Sequence, residues 1–263
     1  MPVSPSIFYQ NNILNQKRLS MMSTKRINVW SSPRNVSTAF MYAFAQRTDT
    51  SVVDEPLYAH YLSKTTTHAI HPMTKEILAT MENDGEKVVK NIIFGDYPTA
   101  IALFKQMSHH LIELDLDFIL KTENILLIRD PKRIIASYVK IIDNPTIADI
   151  GIKMQYDLFQ KLQKADKLAA VVDAKELLLN PVKVLAQLCH QLAIPFDSNM
   201  LQWRPGPIPE DGIWAKDWYS NVHKSTGFIP YVEKQVTLTG EMAKLAEECA
   251  PYYAFLMKYA IKG

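Results

Sequence analysis

The stretch Arg26-Ile-Asn-Val-Trp-Ser-Ser-Pro-Arg-Asn-Val-Ser-Thr-Ala-Phe40 decides the fold. Ile27 to Trp30 predict a short apolar strand, Ser31 to Asn35 a polar turn, and the following residues a helix. Asn35 or Ser37 is the expected cap, because either side-chain oxygen can accept an orphan backbone N–H. Ala39, Phe40, Ala43 and Phe44 then recur at helical spacing, so one face packs inward. Strand, turn and helix N-terminus together make an anion site, where free N–H groups and the positive end of the helix dipole converge. Arg34 adds a charged fork that matches phosphate or sulfate oxygens, and Ser37 and Thr38 add hydroxyl donors. An ordinary strand-to-helix connection with a surface arginine is the competing reading.

Outward from this unit, strand-like and helix-like stretches alternate, which predicts an α/β fold with a mainly parallel sheet and helices on both faces. Strands are expected at Ser51–Asp54, Lys87–Lys90, Ile125–Asp130 and Ala170–Asp173. Helices are expected around Tyr58–Leu62, Pro72–Met81, Thr99–His110, Pro131–Val139, Ile147–Leu168, Pro181–Leu192 and Thr239–Ile261. Residues 1–25 are expected to be a disordered extension and 26–263 a single domain. The 29 basic and 27 acidic residues leave a net charge of +2, so there is no basic footprint for nucleic acid. No run of about 18 apolar residues predicts a membrane span. The N-terminal residues lack the apolar core of a secretory signal. Cys189 and Cys249 fit reduced core thiols of a cytoplasmic protein.

The opening turn lacks the glycines of Gly-x-x-x-x-Gly-Lys-Ser/Thr, which let a backbone wrap a triphosphate. A proline followed by a cation and a hydroxyl pair resembles instead the 5′-phosphosulfate loop of the sulfotransferases. Pro33, Arg34 and Ser37-Thr38 match its Pro-Lys…Thr-Thr wording, while Asn35 and Val36 depart from it. A second signature is Leu126-Leu-Ile-Arg-Asp-Pro-Lys-Arg-Ile-Ile-Ala-Ser-Tyr138. Here a strand end delivers Arg129, and Ser137 follows about two helical turns on, which looks like the family's 3′-phosphate motif. The bland reading is a capping Asp130 beside a solvated arginine. Val172 to Val182 and Ala193-Ile-Pro-Phe196 resemble further, core-building stretches of the same family.

The resemblance implies a P-loop-like architecture and transfer of a sulfonate from 3′-phosphoadenosine 5′-phosphosulfate to a small-molecule or carbohydrate hydroxyl, without a metal. It implies Arg34, Asn35, Ser37, Thr38, Arg129 and Ser137 as nucleotide contacts, with Lys224, Ser225 and Gly227 closing over the 3′-phosphate end. Trp214 and Trp218 read either as part of that cap or as an anchor for the C-terminal helix. Aryl and steroid members carry Lys-Thr-His after the third strand. The stretch expected to be equivalent is Lys90-Asn91-Ile92, so Lys90 is the candidate sulfonate contact and no histidine follows it. Glu55 of Asp54-Glu55-Pro56 resembles the glutamate base of carbohydrate and bacterial members and is the first candidate base. Its alternative is a turn carboxylate paired with Arg34. His60 is the reserve base, and His68 and His71 read as surface or substrate-loop residues. His109 and His110 have no further ligand nearby, so no metal site is read. A nucleotide kinase of related architecture and a catalytically silent nucleotide-binding scaffold are the competing functions.

Overall fold

The computed structural model describes residues 24–65 and 71–263. The expected N-terminal extension falls largely, and His68 wholly, outside the described residues. Among the described residues a five-stranded sheet runs β2-β3-β1-β4-β5, every pairing parallel. Its strands are β1 (Lys25–Ser31), β2 (Thr50–Asp54), β3 (Ile101–Met107), β4 (Glu123–Ile128) and β5 (Leu168–Asp173). Successive side chains of a strand face opposite sides, and two hydrophobic clusters result. Ile27, Val29, Leu103, Ile125, Leu127 and Val172 pack under α1 (Ser37–Ala45), α2 (Tyr58–Lys64), α3 (Thr74–Thr80) and, later in the chain, Pro181–Gln191. Trp30, Ala102, Phe104, Leu126 and Ile128 form the opposite face.

That second face is covered by α4 (Gly85–Val88), α5 (Pro131–Tyr138), a broken pair α6 (Ile147–Ile150) and α7 (Ile152–Lys164), and the C-terminal helix. On leaving β5 the chain forms α8 (Ala174–Leu179) and α9 (Pro181–Gln191), then short turns α10 (Ala215–Trp218) and α11 (Ser220–His223), and ends in α12 (Gly240–Leu256). This is the α/β architecture with helices on both faces that the sequence predicts.

Two elements correct the sequence reading. Lys87–Lys90 is not a strand: Asp84 caps α4 by accepting from the Glu86 and Lys87 N–H groups, and the helix runs on as a π-helical turn over Val89–Ile93. Thr99–His110 is not a helix but contains β3, whose seven residues are all buried. A strand covered on both faces loses its alternation and reads as a continuous run, and Lys105-Gln106 at its end gave a helix-like polar face. Three boundaries also move. The stretch 147–168 is broken at Gly151, which takes a left-handed φ of 76°. Neither Asn35 nor Ser37 caps α1, whose cap residue is Val36 with no side-chain acceptor. The last helix ends at Leu256, beyond which Ile261 N–H donates to Val171 at 3.0 Å along the free edge of β5.

Candidate active site

All five strands point their C-terminal ends the same way, so the loops after β1 to β5 converge on one edge, the usual crevice of an open parallel sheet. The loop after β1 curls without a glycine. Arg34 itself takes a left-handed φ of 55°, a conformation costing a non-glycine residue about 1 kcal/mol or more. Neighbours hold it there. Asn35 donates through Nδ2 to the Leu127 carbonyl at 2.8 Å and accepts from Val36 N–H at 2.8 Å. The Arg129 guanidinium donates to the Arg34 carbonyl, and Arg34 Nε donates to Ser137 Oγ at 3.0 Å. The two signatures therefore meet through their own side chains. The first N–H groups of α1 open onto the crevice with no side-chain cap, beside Ser37 and Thr38.

Arg34, Asn35, Thr38, Arg129, Ser137, Ser225 and Gly227 all line one cleft of about 930 Å³. Burial, and after it the neighbouring Arg133 and Arg34, pulls the Arg129 guanidinium below its ordinary value. Arg133 and Lys175 line it too and are met by Glu233 of the covering loop, at 3.0 Å from Lys175. Ser225 Oγ donates to the Val222 carbonyl at 2.8 Å and accepts from Trp203 Nε1 at 3.2 Å. Gly227 bridges Gln202, and a Cβ there would lie 2.8 Å from the Leu201 carbonyl. Lys224 is exposed and lines neither cavity, which separates it from its two neighbours.

A second cavity, of about 130 Å³, adjoins the cleft through shared walls at Arg34, Thr38, Trp218 and Tyr219. Its inner end is Glu55, which follows β2 at a left-handed φ of 42°. Glu55 pairs with Lys105, not with Arg34: Lys105 Nζ lies 2.5 Å from Glu55 Oε1, 2.8 Å from Asp54 Oδ1 and 2.6 Å from the Tyr219 hydroxyl. Burial raises the Glu55 carboxyl above the ordinary range, against the pull of Lys105 and with the push of Asp54. Burial works against the Lys105 ammonium, but Asp54 and Glu55 hold its pKa well above normal.

Rings make the remaining walls: Tyr58, Tyr138, His71, His109, Trp214 and Trp218 among them. His71 Nδ1 lies 2.8 Å from the Tyr58 hydroxyl, so His71 belongs to the cavity wall. Burial pushes His109 down to about 4 and His110 well below its usual value, so both are neutral imidazoles at pH 7. Trp214 donates to the Tyr219 hydroxyl at 2.9 Å and crosses Tyr58 edge-on; it and Trp218 pack in the hydrophobic cluster on one face of the sheet, while the C-terminal helix packs in the cluster on the other.

Besides Lys224, two sequence candidates lie elsewhere. Lys90 is exposed on the π-helical turn, away from both cavities. The lysine at the end of the third strand is Lys105, missed because β3 was read as a helix. His60 is buried on α2 and sits 2.8 Å, through Nε2, from the Ile112 carbonyl, lining a separate surface hollow. Among the described residues no group of three or more His, Cys, Asp or Glu is placed to hold a metal. Likewise, no helix among them is long and apolar enough to cross a membrane.

A family model described as a sulfotransferase domain matches residues 25–258. Two Arabidopsis thaliana proteins are similar in sequence. Branched-chain-amino-acid aminotransferase-like protein 1 is 39% identical over 240 residues, which is 91% of this chain and 43% of that protein. Branched-chain-amino-acid aminotransferase-like protein 2 is 40% identical over 231 residues, 88% of this chain and 41% of that protein. The chain thus spans less than half the length of these relatives. Among solved structures, the sulfotransferase domain of the curacin biosynthetic pathway superposes with a TM-score of 0.50 at 16% identity, covering 91% of this chain and 99% of that one. That likeness is one of fold, the P-loop-like α/β architecture.

Proposed function

The chain belongs to the sulfotransferase-domain family, and from that premise we propose that it transfers a sulfonate group from 3′-phosphoadenosine 5′-phosphosulfate to a hydroxyl of a small-molecule or carbohydrate acceptor. The observation that carries this reading is the meeting of two unlike cavities at Arg34 and Thr38. One is large and cationic; the other is small, ring-lined and ends in a buried carboxylate. Arg129, Ser137, Ser225 and Gly227 take the 3′-phosphate end of the nucleotide. Arg34, the α1 N-terminus, Ser37 and Thr38 face the 5′-phosphosulfate. The acceptor enters among Tyr58, Tyr138 and Trp214, and Glu55 takes its proton as the new O–S bond forms and the bond from sulfur to the 5′-phosphate breaks. Arg34 and the α1 N–H groups stabilise the charge that builds on the leaving phosphate. Lys105, in place of Lys90, is the ammonium beside the reacting hydroxyl.

In this reading residues 26–263 act as one domain in the cytoplasm, where the two buried thiols Cys189 and Cys249 stay reduced. Calorimetric titration with adenosine 3′,5′-bisphosphate, without magnesium, tests it. Binding that is markedly weakened in Arg129→Ala is expected. Absence of binding in the wild type, with ATP and magnesium binding instead, would turn the reading to a nucleotide kinase.

A further inference from the structure

Two carboxylates and one ammonium are buried together where β2 and β3 end, and the chemistry above uses only one of the carboxylates. Resting on that reading, we propose that Asp54 is a positioning residue: it fixes Lys105 and, through Tyr219, the wall that carries Trp214, so that Glu55 is the carboxylate free to take the acceptor's proton.

The asymmetry is geometric. Asp54 Oδ1 accepts from Lys105 at 2.8 Å, while Oδ2 accepts from the Tyr219 hydroxyl at 2.7 Å and from Gly212 N–H at 3.1 Å. Both its oxygens are committed, its side chain is 1% exposed, and it lines neither cavity. Glu55 accepts from Lys105 through Oε1, keeps 9% of its side chain open and lines the acceptor cavity. Consecutive residues of a strand project to opposite faces; the left-handed φ of Glu55 breaks that alternation and lets both carboxylates reach one ammonium. The groups facing Glu55 are Lys105 on β3, Asp54 on β2, Tyr58 on α2 and Tyr219 after α10, and Arg34, Tyr138, His71, His109 and His110 line the same cavity.

One ammonium cannot neutralise two carboxylates, and an environment that differs between two such groups sorts them into roles. Asp54, held by three donors, keeps the ammonium. The less tied Glu55, raised by burial and by Asp54, receives the proton. In the transfer step the acceptor's O–H proton passes to Glu55 as O–S forms and the sulfur–phosphate oxygen bond breaks, and Asp54 exchanges no proton.

The test is the pH dependence of adenosine 3′,5′-bisphosphate release from 3′-phosphoadenosine 5′-phosphosulfate, with water as the attacking hydroxyl. In Asp54→Asn all of the Lys105 charge falls on Glu55, so the acid limb of the rate profile moves to lower pH and the plateau, set by a weaker base, falls about tenfold. Asp54→Glu, which keeps the charge, holds the limb in place, and Glu55→Gln abolishes it. A plateau loss with an unmoved limb in Asp54→Asn would mean a purely structural role and overturn the proposal. If Asp54→Asn does not fold, carbon-13 NMR titration of the carboxyl groups in the wild type, with adenosine 3′,5′-bisphosphate bound, decides. The first proton on acidification must go to Glu55; protonation of Asp54 first refutes the assignment. A wild type that binds the bisphosphate but releases none from the donor overturns the transferase reading, and the NMR titration still judges Asp54.

Discussion

Replacing Lys105 by methionine keeps the volume of the side chain and deletes its charge. Lys105 is 1% exposed, and its partners Asp54 and Glu55 have side chains 1% and 9% exposed. Removing one member of a buried ion pair leaves an uncompensated charge and costs about 3–5 kcal/mol. Here two carboxylates are left, so the upper half of that range is expected at pH 8. For a chain of this size roughly 2–4 °C of melting temperature goes with each kcal/mol, which places the loss on the order of 10–15 °C.

The pH dependence separates charge from packing. Burial already raises the Glu55 carboxyl in the folded protein, and Lys105 is the main influence holding it down. Without Lys105 it rises further. A carboxyl whose folded pKa lies above its unfolded value of about 4.3 contributes stability that is complete below the unfolded value and is lost as pH rises through the folded one. Lys105→Met is therefore close to wild type in acid and most damaged above the raised value. Urea denaturation at pH 5 and pH 8 measures this directly. Adding Glu55→Gln to Lys105→Met should recover part of the loss at pH 8 and almost none at pH 5, a coupling read from the double-mutant cycle. A loss equal at both pH values would refute the reasoning, since it would place the cost in packing and not in unpaired charge.

Arg129→Ala removes a charged donor from the cleft and from the Arg34 carbonyl. At about 1.5–3 kcal/mol for a hydrogen bond to a charged group, affinity for adenosine 3′,5′-bisphosphate falls by roughly 10- to 150-fold, as calorimetry would show. Gly151→Ala places a Cβ in ordinary contact but at a φ of 76°, so denaturant unfolding should register a loss of about 1 kcal/mol. His109, pushed by burial to about 4 with His71 adding to the shift and Asp149 opposing it, should show a neutral ring by NMR at pH 5.5. Its folded value lies below the ordinary 6.5, so the stability it contributes is present above that pH and disappears as pH falls towards 4.

The meeting of the two signatures on the cationic cleft was legible because its signals are local. Pro33-Arg34 and Arg129-Asp130-Pro131 sit at the ends of apolar runs, and turn chemistry followed by a helical pattern marks each junction. Even there the mechanism of the loop was hidden. With no glycine present, nothing in the residues foretold that Arg34 itself takes the left-handed conformation, or that Asn35 ties the loop to β4 rather than capping α1. Around Glu55 the lysine was missed because its logic is non-local. Lys105 and Gln106 look like surface residues, and only partners 50 and more positions away, at Asp54, Glu55 and Tyr219, make a lysine tolerable in a strand covered on both faces. Lys90 stood in its place because a short valine pair imitates a strand, whereas the Asp84 cap turns that pair into helix. β3 thus carries a charge whose compensation lies elsewhere in the chain. The adjacent acids Asp54-Glu55 were the one sequence trace of that compensation: a carboxylate pair ending a buried strand requires a cation on a neighbouring strand, and β3, hydrogen-bonded to β2 in register from Thr50–Ile101 to Asp54–Lys105, supplies it.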